Sequence, residues 1–167
     1  MDQAVGLLGL NAIKSIAICS SLHEAFSKAN GGGGFDMKAF WWHSLRCALL
    51  ARNVAKKVRY GSPDEAFLSG LLHDIGQLVL WVNGREGHEG LPRDAKAPSR
   101  SVSAYEAQSG ISHAAVGAWL LNRWNLSSFV VDAVMYHHEE AERIETALPL
   151  VQIVYAANLL SGSPSPS

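Results

Sequence analysis

The chain has 167 residues, 48% hydrophobic and 17% charged, with a formal net charge of -1, which suits one domain with a real core. No block of like charges forms a nucleic-acid stripe or a polybasic membrane patch, and no apolar run reaches the ~18 residues of a membrane span. Cys19 and Cys47 stand apart in apolar context and form no CxxC pair, so they read as buried inert thiols of a reduced, cytoplasmic compartment.

From Met1 to about Asn30, Ala4, Leu7, Leu8, Ile13, Ile16, Ala17 and Leu22 predict a first helix. Gly31 to Gly34 must form a loop, here bounded as 31–35, because glycine loses most entropy in a helix. Asp36 starts a second helix that runs to about Tyr60. Its apolar face is predicted to hold Phe40, Trp41, Leu45, Ala48, Leu49 and Val54, and its polar face Arg52, Lys56 and Lys57. Gly61-Ser62-Pro63 stops it, and Ser62 with Glu65 reads as a capping box. A third, central helix is expected from about Pro63 to Trp81, apolar over most of its surface.

Asn83 to about Arg100 is polar and rich in Gly and Pro, and reads as a loop. A short helix bearing Glu106 is expected around Ser103 to Gln108. Ser112 caps a helix to about Trp124, with Val116, Leu120, Leu121 and Trp124 inward, and Ser127 caps another to His138. An acidic turn leads to a last helix, roughly Ala147 to Leu160. Residues 162–167 are a disordered tail by composition. No alternating strand pattern appears. The expected fold is all-α, a bundle of about six or seven helices.

The chemistry concentrates at Leu71-Leu72-His73-Asp74-Ile75-Gly76-Gln77-Leu78. Two adjacent ionisable groups inside an apolar run are costly to bury unless something pairs with them. His43, His113, His137 and His138 also lie in apolar helical segments, leaving His23 and His88 as surface residues. Neutral imidazoles with one carboxylate suit Fe, Mn, Zn or Ni rather than Ca or Mg. Asp74 could bridge two such ions, the arrangement used for phosphoester hydrolysis. The plain alternative is that each histidine is an ordinary hydrogen-bonded core residue.

Phe40-Trp41-Trp42-His43-Ser44-Leu45 and Glu65 to Leu78 resemble the HDOD family, the HD-related output domain of bacterial signalling proteins. The resemblance continues through Glu106, Ser112-His113 to Leu121, Trp124-Asn125-Leu126, His137-His138-Glu139 and Ala156-Ala157-Asn158, and covers about residues 3 to 161. It implies an HD-domain-like helical bundle related to metal-dependent phosphohydrolases, with regulatory roles in many members. It further implies that His43, His73 and Asp74 are metal ligands, that His113, His137 and His138 are additional ligands, and that Asp74 is the catalytic carboxylate if the chain is an enzyme. Glu106 and Asn158 are the expected supporting residues. Asn158 stands where HD enzymes carry a final aspartate ligand, and Ala141-Glu142-Arg143-Ile144 replaces the Gly-Tyr-Pro signature of relatives that cleave cyclic di-GMP.

Compared with the family, the chain is expected to lack an N-terminal part of the domain, with self-association through the apolar face so uncovered. Two functions remain open. One is a signalling module that binds a partner protein or small phosphorylated ligand, with no role for nucleic acid or membrane. The other is a metal-dependent phosphohydrolase acting on a nucleotide or other phosphoester.

Overall fold

The structure, a computed structural model, describes residues 35–87 and 109–162, with residues 17, 20, 24, 106 and 107 (over 83–87 the backbone alone). Seven helices lie among the described residues: α1 Met37–Lys57, α2 Pro63–Leu72, α3 Ile75–Gly87, α4 His113–Arg123, α5 Ser128–Met135, α6 Ala141–Ile144 and α7 Pro149–Ser161. No strand occurs among them, and no described helix is long and apolar enough to cross a membrane. The fold is an all-α bundle, as the sequence pattern predicts. The expected first helix apart from residues 17, 20 and 24, the four-glycine loop, Cys19, His23, His88, the segment 88–105, the tail beyond Gly162 and the proposed self-association face lie outside the described residues.

Local chemistry sets the helix ends. Asp36 caps α1 by accepting from the Ala39 amide at 2.9 Å, and Lys56 and Lys57 complement the dipole in its last turn. Arg59, at φ 59°, then turns the chain out of the helix. Ser112 and Ser127 cap α4 and α5 by accepting from Ala115 and Val130. Pro149 sits in the first turn of α7, where a missing amide proton costs nothing.

The single central helix expected from Pro63 to Trp81 is two helices. Their break falls on His73 and Asp74, which form the turn between α2 and α3. The apolar pattern continues across the break because α2 and the start of α3 are both buried, so hydrophobicity alone carries no sign of it. The α3 backbone also stays helical to Gly87, past the expected loop start at Asn83.

The buried face of α1 keeps Phe40 and Ala48 of the expected one, with Trp41 and Val54 packed at its border, and differs at Leu45 and Leu49. It consists of Phe40, Ser44, Cys47, Ala48, Ala51 and Ala55, while Leu45 and Leu49 are exposed. Small residues win this face because α2 crosses it closely. A Cβ on Gly70 would lie 2.9 Å from the Ala48 Cα. Trp124, expected inward, ends α4 as a partly exposed C-cap.

Ser62 caps α2 as expected, accepting from the Glu65 amide, but the Glu65 carboxylate does not complete a capping box. It accepts instead from the Tyr60 hydroxyl at 2.9 Å and the Ser127 hydroxyl at 2.7 Å. One carboxylate thus ties the start of α2 to the start of α5. Beneath these ties, Leu72, Ile75 and Leu78 pack with Leu121, Val130, Val134, Leu150 and Val154 into one core.

Candidate metal centre

Four helix ends meet at Asp74. Its carboxylate is buried, and each oxygen faces a different pair of rings. Oδ2 lies 3.5 Å from His43 Nε2 and 3.3 Å from His73 Nε2. Oδ1 lies 3.3 Å from His113 Nε2 and 3.4 Å from His137 Nε2. Within the pairs, the Nε2 atoms of His43 and His73 stand 3.2 Å apart and those of His113 and His137 3.3 Å apart. His138 packs its ring against His137, tilted by 46° with centroids 4.1 Å apart, and offers a further nitrogen on the Oδ1 side.

What lies behind the rings fixes their protons. His73 Nδ1 donates to the Gly70 carbonyl at 2.8 Å, and His137 Nδ1 to the Val134 carbonyl at 2.6 Å. Both acceptors lie three residues earlier in the chain, in the last turns of α2 and α5, where helix carbonyls lack amide partners. One device therefore serves both rings: an orphan carbonyl takes the Nδ1 proton and the Nε2 lone pair turns to the centre. His113 Nδ1 pairs with Glu106 Oε1 at 2.7 Å, and the same oxygen accepts from the His113 backbone amide. His43 Nδ1 meets Ser161 Oγ at 3.4 Å, and that hydroxyl donates to the Asn158 carbonyl at 2.7 Å.

This geometry fits a divalent transition metal. Nitrogen lone pairs 3.2 to 3.3 Å apart, with their Nδ1 protons committed elsewhere, repel unless a cation or proton lies between them. Two ligand atoms each about 2.1 Å from one ion, at tetrahedral to octahedral angles, stand ~3.0–3.4 Å apart. Asp74 Oδ1 is a buried carboxylate oxygen with no well-formed hydrogen bond among the described residues. Two donor sets share Asp74: His43, His73 and Asp74 on one side; Asp74, His113, His137 and His138 on the other.

The electrostatics agree. Burial opposes charge on Asp74, but the surrounding imidazoles, His73 first, hold its carboxyl well below the usual range. Burial pulls His73 down to about 4, against the pull of Asp74. His138 also falls to about 4, through burial and its neighbours His137 and His113. Burial would lower His113 too, but Asp74 and Glu106 together raise it.

All six expected ligand residues, His43, His73, Asp74, His113, His137 and His138, gather at this centre, and Glu106 stands against the His113 ring. Asn158 enters through its backbone carbonyl, by way of Ser161. Ser161 was not legible in advance, because a serine in the last turn of a helix carries no distinctive signal. The carbonyls of Gly70 and Val134 could have been found from the three-residue spacing to each histidine.

Fold and centre together define an HD-like helical module with a candidate divalent-metal site. The chain belongs to the HDOD domain family, whose sequence profile matches residues 1–140. The structure resembles that of an inferred phosphohydrolase from Shewanella amazonensis SB2B, with TM-score 0.69 and 24% identity over 96% of this chain and 58% of that one. It also resembles an HDOD domain protein of unknown function from Geobacter sulfurreducens, with TM-score 0.61 and 26% identity over 94% of this chain and 52% of that one. In sequence, 119 residues are 30% identical to Ribonuclease Y of Chlorobaculum tepidum, covering 71% of this chain and 17% of that protein. The chain spans less than a third of the length of the curated relatives it matches first.

Proposed function

We propose that the chain is a cytoplasmic regulatory HDOD module of a bacterial signalling system, with a divalent metal centre at its core. Its partner is another signalling protein or a small phosphorylated ligand. The observation that carries this reading is the burial of the central donors, with His43 partly exposed and His138 exposed at the edge of the centre. His73 and His137 are 0% and 1% exposed and Asp74 is 6% exposed, so a bound ion would sit inside the bundle, tying helices together. In this role Asp74 supplies the charge between the two donor sets. Gly70, Val134, Ser161 and Glu106 hold the rings in the ligand tautomer.

A second reading, a metal-dependent phosphohydrolase, is favoured by the Asp74 carboxylate, whose two oxygens face separate donor sets. A metal bound there would supply Lewis acidity and a water of lowered pKa. The likeness to Ribonuclease Y adds RNA to the phosphoesters worth testing.

The test is elemental analysis of the chain purified without chelator, followed by turnover assays with added Mn. Substrates are a generic phosphoester, cyclic dinucleotides and an RNA oligonucleotide. The regulatory reading expects bound transition metal and no turnover above that of His73→Ala and Asp74→Ala. Turnover abolished by those substitutions replaces it with the second reading. Metal below ~0.2 equivalents per chain removes the metal from both.

A further inference from the structure

The two donor sets that share Asp74 are unequal. Among the described residues, the Oδ2 side has three donors, His43, His73 and the carboxylate, and the Oδ1 side has four, Asp74, His113, His137 and His138. The groups behind the rings differ more. Neutral acceptors back the first set: the Gly70 carbonyl at 2.8 Å and, more loosely, the Ser161 hydroxyl at 3.4 Å. In the second set, the Glu106 carboxylate backs His113 at 2.7 Å. A carboxylate behind an imidazole fixes the ring and makes its free nitrogen a stronger base. An ion on the Oδ1 side therefore meets one carboxylate directly and a second through one ring. On the Oδ2 side, among the described residues, the one carboxylate it meets is Asp74.

We infer that the Oδ1 set takes a divalent transition metal first and holds it more tightly, and that Glu106 is the positioning residue that sets the difference. The Oδ2 set takes a second ion weakly. Sharing one carboxylate reinforces this order. An ion drawing on Oδ1 leaves less charge for the other oxygen, and two dications ~3.5–4 Å apart repel. The inference rests on the metal-centre reading above and adds the order of filling.

The test uses the full chain, stripped with chelator and titrated with Co2+, read by calorimetry and by visible absorption of the bound ion. The wild-type chain is expected to fill one equivalent before a second that binds at least about tenfold more weakly. Glu106→Gln keeps an acceptor for His113 but removes its charge. It should weaken the first step by about 10–100-fold and shift the first-equivalent absorption, while leaving the second step in place. His43→Ala, on a partly exposed ring, should leave the first step within about threefold and remove the second. Thermal melts of the metal-free variants confirm that both fold. Two equal sites, or a first equivalent lost in His43→Ala and kept in Glu106→Gln, would overturn the order alone. A wild-type chain that binds no Co2+ overturns the metal centre itself and this order with it.

Discussion

Gly76 and His113 meet backbone to backbone: a Cβ on Gly76 would run into the His113 carbonyl oxygen and stand 2.7 Å from the Gly117 amide nitrogen. The first turn of α3 therefore rests directly on the first turn of α4. That contact brings His113 to the Asp74 carboxylate two residues before Gly76. The glycine is needed here for its lack of a side chain rather than for backbone freedom.

Gly76→Ala must push α3 and α4 apart, since backbone atoms cannot move aside as a flexible side chain does. The expected cost is about 3 kcal/mol or more, visible as a lowered midpoint in denaturant unfolding. A midpoint within about 0.5 kcal/mol of wild type would show that the two turns have room to separate.

Asp74→Asn keeps the shape of the side chain but removes the negative charge on which both donor sets depend. It should lower metal content at least tenfold, read by elemental analysis of chains purified side by side. The variant should remain folded, because His73 and His137 keep their bonds to Gly70 and Val134. Unchanged metal content would mean that the imidazoles alone hold the ion.

Removing the Glu65 carboxylate with Glu65→Ala leaves the Tyr60 and Ser127 hydroxyls without their acceptor. A loss of about 1–3 kcal/mol is expected in urea unfolding. Tyr60→Phe and Ser127→Ala should each lose part of it. In a double-mutant cycle with Glu65→Ala, their effects should be strongly non-additive. Additive effects would place Glu65's contribution elsewhere.

Alkaline pH should destabilise the metal-free fold. Burial, with the charge of Asp74, pushes the Cys47 thiol up to about 12, and burial with the Glu65 bond pushes the Tyr60 hydroxyl up to about 12. Both groups ionise earlier in the unfolded chain, near 9 for the thiol and 10 for the phenol. Their contribution is therefore fully present below pH 9 and is lost as pH rises toward 12. Denaturant midpoints measured across pH 8 to 12 should fall, and the fall should be smaller in Cys47→Ala. An equally steep fall in that variant would remove the thiol from the account.

Much of the centre was legible because its chemistry is unusual in context. Imidazoles in apolar helical segments are conspicuous, and His73 beside Asp74 is costly to bury without a partner. The break between α2 and α3 was hidden, since both sides of it are apolar. The buried face of α1 was misread for a related reason. Helical periodicity marks Leu45 and Leu49 as inward beside Ala48, but the close approach of Gly70 to Cys47 and Ala48 turns the buried face toward Ser44, Ala51 and Ala55, which hydrophobicity undervalues. The role of Glu65 escaped because its acceptor pairs with a hydroxyl 62 positions away, and spacing rules reach only a turn or two.

That distant tie bears on how the polypeptide could be divided. Glu65 and Ser127 fasten the first half of the bundle to the second across the whole connection between α3 and α4. A chain cut in that connection should yield two fragments that stay associated without a covalent link, and the complex should come apart more readily when Ser127 is alanine.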